Sequence, residues 1–170
     1  IAVFIALIVV LVFSYALAWF SAYRLSQGYL QDAAASYDRG DYLDALVGYK
    51  EYDDAQQRYV DRGGYMEVER IWADQYALPV PPDVVQARQR IDAIVNSLLT
   101  IDDAESFVQA NIGRSNPYLA LIYLRLGELY EADGRNRDAE DIYSSFTDLF
   151  PNETELGARA QQDLQRLTSG

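Results

Sequence analysis

The sequence predicts an all-α protein: one N-terminal transmembrane helix, a short domain of helical hairpins behind it, and a capping helix at the end. Three observations carry that reading. Residues 1–23 contain no charged side chain. Residues 83–116 and 117–150 form two blocks of 34 residues, each ending before a proline, Pro117 and Pro151. Within the second block, Tyr123, Leu126, Gly127 and Tyr130 recur at i, i+3, i+4 and i+7, the spacing of one helical face.

The first segment, 1–23, reads IAVFIALIVVLVFSYALAWFSAY. A helix of that length is roughly 35 Å long, enough for a hydrocarbon core of about 30 Å. Tyr15, Trp19, Phe20 and Tyr23 crowd its end, where an aromatic belt sits at a lipid–water boundary. Ala16-Leu17-Ala18 also has the form of a signal-peptide cleavage site, but the run is long for a signal and bulky Trp19 and Phe20 follow at once. A retained anchor is the preferred reading. Ile rather than Met opens the sequence, so the flank that sets orientation is expected to precede it. Ser14 and Ala18 are small residues that let a neighbouring helix approach, and with Trp19 they are candidate partner contacts.

From Arg24 the chain turns polar without a break; only Gly28 interrupts a helix-favouring stretch, so the anchor is expected to run straight into the helical domain, 24–170. A first hairpin is expected over 26–59. Gly40 ends its first helix, Asp41 caps the second, and Ala45 and Tyr49 form a small–aromatic pair four residues apart on that second helix. Asp32 stands where an apolar residue is expected, and Ala33-Ala34-Ala35 offers a small face for close packing against a partner's anchor.

Residues 60–82 break the period and read as an insertion. Gly63-Gly64 is expected to be a flexible joint. Tyr65 to Tyr76 is amphipathic, with Val68, Ile71, Trp72 and Tyr76 on one stripe, and Pro79, Pro81 and Pro82 impose an extended segment. Tyr65, Met66, Trp72 and Tyr76 are residue types enriched in interface cores, which makes them candidate partner contacts. The alternative is that Trp72 and Tyr76 fold back over the helical core.

The block 83–116 starts with Asp83 as a cap for a helix carrying Val84, Ala87, Ile91, Ile94, Val95 and Leu98, turns at Thr100, and continues with Ala104, Phe107 and Val108. In the block 117–150, Gly127 and Ala139 are small where two antiparallel helices must come close, Gly134 supplies the left-handed residue between them, and Tyr143 and Phe146 form the buried stripe of the second helix. A last helix, 152–168, places Leu156, Ala160, Leu164 and Leu167 on one face and is expected to cap the stack.

The run Tyr123-x2-Leu126-Gly127-x2-Tyr130, then Gly134, Ala139-x3-Tyr143, Phe146 and Pro151, resembles the tetratricopeptide repeat, a 34-residue helix–turn–helix unit. Residues 26–59 match it more weakly through Gly40, Ala45 and Tyr49, and 83–116 is a degenerate copy. The resemblance implies a TPR-like stack of hairpins whose work is to bind other proteins.

Composition narrows the chemistry. The chain has no His and no Cys, so the usual zinc set is missing, and a nucleophile–base pair would need Ser with Lys50, the one lysine, or carboxylates. Asp53-Asp54 and Asp102-Asp103 read as caps and solvated faces. Net charge is −12, which argues against a nucleic-acid partner. No cofactor, metal or enzymatic activity is expected. The expected function is a membrane-anchored scaffold, an accessory subunit of a larger bacterial membrane complex such as a respiratory or photosynthetic electron-transfer assembly. Its partners would be other subunits and the lipid bilayer. The alternative is an extracytoplasmic module that binds peptides or clients in folding or envelope biogenesis. The expected location is the inner membrane, single-pass, with the helical domain outside the cytoplasm.

Overall fold

A computed structural model describes residues 2–74 and 76–169. The chain is all-α in class. Helix α1, Ala2–Arg39, is followed by α2 (Tyr42–Val47), strands β1 (Tyr49–Asp53) and β2 (Arg58–Arg62), α3 (Tyr65–Ile71), α4 (Asp83–Ala93), a π-helical turn (Ile94–Leu98), α5 (Ile101–Asn111), α6 (Leu119–Ala132), α7 (Asn136–Leu149) and α8 (Thr154–Ser169). The chain divides into two compact units, 1–94 and 95–170.

The first unit is organised along α1, which is unbroken for 38 residues, about 57 Å at 1.5 Å per residue. Its N-terminal part is apolar and exposed, with a window of mean hydropathy 2.7, and among the described residues it is the one helix long and apolar enough to cross a membrane. Its C-terminal part is core: Ser26, Ala33 and Ser36 are buried on one stripe, and these small side chains let α2 and α3 lie close. Tyr37 borders the stripe, with its ring edge-on to Tyr42 and Tyr65 and the Arg90 guanidinium 4.2 Å above it. Ala33 is therefore packed inside this chain rather than presented to a partner's anchor, whereas Ala35 is exposed.

Gly40 ends α1 at φ 84°, as the sequence suggested. Asp41 precedes α2 but makes no side-chain cap; its carboxylate accepts from Arg39 Nε at 2.9 Å instead.

The anchor does run without a break into the first helix of the helical domain, but the second helix expected in the 26–59 hairpin stops at Gly48. Gly48 has φ 76°, and a Cβ there would collide with the Arg62 carbonyl. Tyr49 opens an antiparallel strand paired with Arg62, so Ala45 and Tyr49 do not share a helical face. The hairpin is held by Tyr52 edge-on to Tyr59 at 5.2 Å, Arg62 to Glu51 at 2.7 Å, and a turn in which Asp53 accepts from the Ala55 and Gln56 amides. Asp32, misplaced for a repeat, ties this hairpin to α1: it accepts from the Gly63 amide at 3.2 Å and lies 3.5 Å from Arg62.

Gly63-Gly64 is a close-packed crossing and not a flexible joint. Both residues are buried; a Cβ on Gly63 would strike the Tyr29 side chain, and one on Gly64 the backbone of Gly48 and Leu46.

In the second unit, Thr100 and Asp103 form a reciprocal capping box at the start of α5. Helices α6 and α7 are an antiparallel hairpin turning through Gly134 at φ 79°. Gly127 is the contact point between them: a Cβ there would lie 2.7 Å from Tyr143 Cε1 and 2.8 Å from Ile142 Cγ2. Ala139 and Phe146 are wholly buried opposite.

Candidate interaction surfaces

Two regions collect the residues singled out by the sequence, one in each unit. In the first unit, the segment 76–83 folds back along α1. The Tyr15 hydroxyl shares its proton between the carbonyls of Tyr76, at 2.8 Å, and Leu78, at 2.5 Å, and accepts from the Leu78 amide at 3.2 Å. One turn further along, Trp19 Nε1 donates to the Pro79 carbonyl at 3.0 Å. Trp19 stacks on Tyr23 with centroids 5.3 Å apart and meets Trp72 edge-on at 5.6 Å. Trp72 in turn donates to Ser26 Oγ at 2.9 Å. Asp83 does not cap α4; the residue before that helix is Pro82, and the Asp83 carboxylate accepts from Gln27 Nε2 at 2.7 Å.

These bonds separate the candidate partner contacts. Tyr65, Met66 and Trp72 are 3, 7 and 3% exposed. They are core of the first unit, because α3 has to bury its apolar stripe against α1, and they offer nothing to a partner. The fold-back alternative therefore holds for Trp72. Tyr76 is the exception at 73% exposed: its backbone, not its ring, is engaged. Ser14 and Ala18 are exposed on α1, with Ala18 and Ala22 bordering a shallow apolar cleft under Tyr76.

In the second unit, the residues that define the 34-residue pattern are mostly core. The Tyr123 hydroxyl bonds Ser145 Oγ at 2.8 Å, and its ring packs against Phe146 and Phe150. Leu126 is buried beside Gly127. Tyr130 donates to Glu105 Oε1 at 2.6 Å with Arg135 4.1 Å over its ring; burial, then the Glu105 carboxylate, pushes the phenol up to about 12. Tyr143 is buried, and its hydroxyl donates to Glu131 at 3.0 Å. Pro151 follows the end of α7.

One face of α6 is bound to α8 by charge. Arg159 meets Glu128 at 2.5 Å, and Arg166 bonds Glu131 and also reaches Asp163 at 3.0 Å. The Arg166 guanidinium, with help from the Tyr143 hydroxyl, holds the Glu131 carboxyl below its ordinary range. These arginines are committed to closing the last helix onto the hairpin.

The described residues contain no cluster of three or more His, Asp or Glu side chains placed to hold a metal ion. The adjacent acids act locally, Asp53 in the hairpin turn and Asp103 in the capping box. Sequence reasoning missed the Tyr15 and Trp19 bonds to the proline-rich segment, since nothing in the local pattern links positions some 60 apart. Comparison with protein-family models, curated proteins and solved structures gives no match for this chain.

Proposed function

We propose that the chain is a single-span, membrane-anchored scaffold of the tetratricopeptide kind, an accessory subunit that stabilises a larger bacterial membrane complex through protein–protein contacts. The observation that carries this reading is the continuity of α1. The same helix supplies the apolar segment and the buried stripe of Ser26, Ala33 and Ser36, with no linker between them. A subunit held that way positions the core of its first unit at a fixed height above the bilayer, and a contact made by the span raises the effective concentration of that core. In the apolar part, Ser14 and Ala18 remain exposed for helix packing. A respiratory or photosynthetic electron-transfer assembly is the type of complex proposed.

The helical domain is placed on the extracytoplasmic side of the inner membrane. Arg24 is the sole basic residue just after the apolar segment, and Asp32, Asp38 and Asp41 follow, so no positive cluster holds this side in the cytoplasm. The competing peptide-capture reading is less favoured, because Arg159 and Arg166, cations suited to gripping a client's carboxylate, are already paired to Glu128 and Glu131. The test is purification of the tagged full chain from detergent-solubilised membranes. The scaffold reading expects a fixed set of subunits in constant stoichiometry, and loss of that set when residues 1–20 are removed. A heterogeneous, substoichiometric population of clients would overturn it in favour of capture.

A further inference from the structure

The segment between α3 and α4 follows a path set by α1. It leaves the level of Ser26, where Trp72 is bonded, and descends to the level of Tyr15, which holds the carbonyls of Tyr76 and Leu78. It then climbs past Trp19, bonded at Pro79, to Gln27, bonded at Asp83. The excursion runs eleven to twelve residues along α1, about 17 Å at 1.5 Å per residue. The descent goes toward the apolar end. Tyr15 lies nine residues before Arg24, the first charge of the chain, or about 14 Å, whereas the interfacial layer beside a hydrocarbon core is only about 5–7 Å deep.

Three features suit this segment to a low-dielectric layer. It carries no charge between Asp74 and Asp83. Its outward side chains are large and apolar: Tyr76, Leu78 and Val80 are 73, 59 and 42% exposed. Most of its backbone polar groups from Tyr76 to Pro79 are satisfied within the chain. Pro79, Pro81 and Pro82 have no amide hydrogen; the Tyr76 amide donates to Asp74, that of Ala77 to the Asp74 carbonyl, and that of Leu78 to Tyr76 and Tyr15. Exposed loops can leave these groups to solvent, but a loop entering lipid must satisfy them internally. The two ring donors of α1 do so for the carbonyls of Tyr76, Leu78 and Pro79.

We propose that the loop Tyr76–Val80 is a second membrane contact, a shallow re-entrant wedge that inserts Tyr76, Leu78 and Val80 into the bilayer beside α1. The inference rests on the reading of α1 as a membrane span. The occupant is lipid because the exposed loop side chains continue the exposed apolar surface of α1 at the same level. The flanking Asp74 and Asp83 offer no attraction to anionic headgroups, so insertion is apolar and insensitive to salt. The wedge and α1 together give the chain two fixed points in the bilayer, which sets the tilt and rotation of the first unit.

The absence of Cys makes the test direct. Single cysteines at Leu78, Val80, Val10 and Tyr59 are labelled with an environment-sensitive fluorophore in the full chain, reconstituted into pure phosphatidylcholine vesicles. Lipid-borne nitroxide quenchers should quench Val10, Leu78 and Val80 but not Tyr59 in the β-hairpin. Tyr15→Phe, which removes the hydroxyl holding two loop carbonyls, should reduce quenching at Leu78 and Val80 and leave Val10 unchanged. Water-exposed probes at Leu78 and Val80 with Val10 still quenched would overturn the wedge and leave the anchor standing. An unquenched Val10 would overturn the anchor, and the wedge with it.

Discussion

Gly127→Ala tests the packing of the second unit at its tightest point. The added methyl would lie 2.7 Å from Tyr143 Cε1 and 2.8 Å from Ile142 Cγ2, about 1 Å inside the usual 3.5–4.0 Å carbon separation. Neither neighbour can yield freely. Tyr143 is buried with its hydroxyl on Glu131, and Ile142 is β-branched on the same helix. Overpacking costs about 1–3 kcal/mol, and two contacts under 3 Å against constrained neighbours put this one in the upper part of that range, about 2–3 kcal/mol. Alanine recovers up to about 1 kcal/mol of helix propensity over glycine, leaving a net loss of about 1–2 kcal/mol. Both tryptophans lie in the first unit, so tryptophan fluorescence would not report this change. Hydrogen exchange of α6 and α7 peptides in the detergent-solubilised full chain would. A loss of that size speeds exchange through opening of this hairpin by roughly 5- to 30-fold, and Gly127→Leu should be worse. Unchanged or slower exchange in Gly127→Ala would refute the close crossing.

Other substitutions separate conformation from contact. Gly28 lies within α1, and a methyl group added there would meet nothing within 4 Å, so Gly28→Ala should stabilise the first unit by about 0.5–1 kcal/mol, read as a higher melting temperature by tryptophan fluorescence. Ser26→Ala leaves the buried Trp72 indole without its acceptor and should cost about 1–3 kcal/mol, with a shift in tryptophan emission. The depressed Glu131 carboxyl contributes stability above the ordinary carboxylate range, and that contribution is lost as pH falls through its lowered folded-state value. Acid should therefore weaken the second unit, and Glu131→Gln should flatten that part of the dependence, as measured by exchange of α6 and α8 peptides against pH.

The second unit was the more legible in sequence because its signals are local. Gly127, Gly134 and Ala139 are small or left-handed where an antiparallel helix pair needs them, and their spacing needs no knowledge of distant residues. The first unit was less legible. Ala45 and Tyr49 have helical spacing, yet Gly48 stops the helix, and the hairpin forms from two strands, YKEYD and RYVDR, whose spacing of tyrosines and charges also suits an exposed helix. Gly48 and Gly63, bracketing Tyr49, Tyr52, Tyr59 and Val60, were the available hint. Asp32 looked like a flaw in a repeat because its partners, Gly63 and Arg62, lie about thirty residues away. Trp72 and Tyr76 shared an apolar stripe in sequence, but the short α3 ends at Ile71, before both, so helical spacing does not relate them: one ring is buried on Ser26 and the other is left outside.

The central claim is that α1 carries the chain through a bilayer and continues without a break as the first core helix. Cysteine scanning from Val3 to Arg39 tests it most directly, in native membrane vesicles of known orientation and with a membrane-impermeant maleimide. The account predicts continuous protection through the apolar segment. Beyond Arg24 it predicts labelling with helical periodicity, strong at Gln31 and Ala35 and weak at the buried Ser26, Ala33 and Ser36. Labelling of the exposed positions between Val3 and Leu17 as strong as at Gln31 would contradict it.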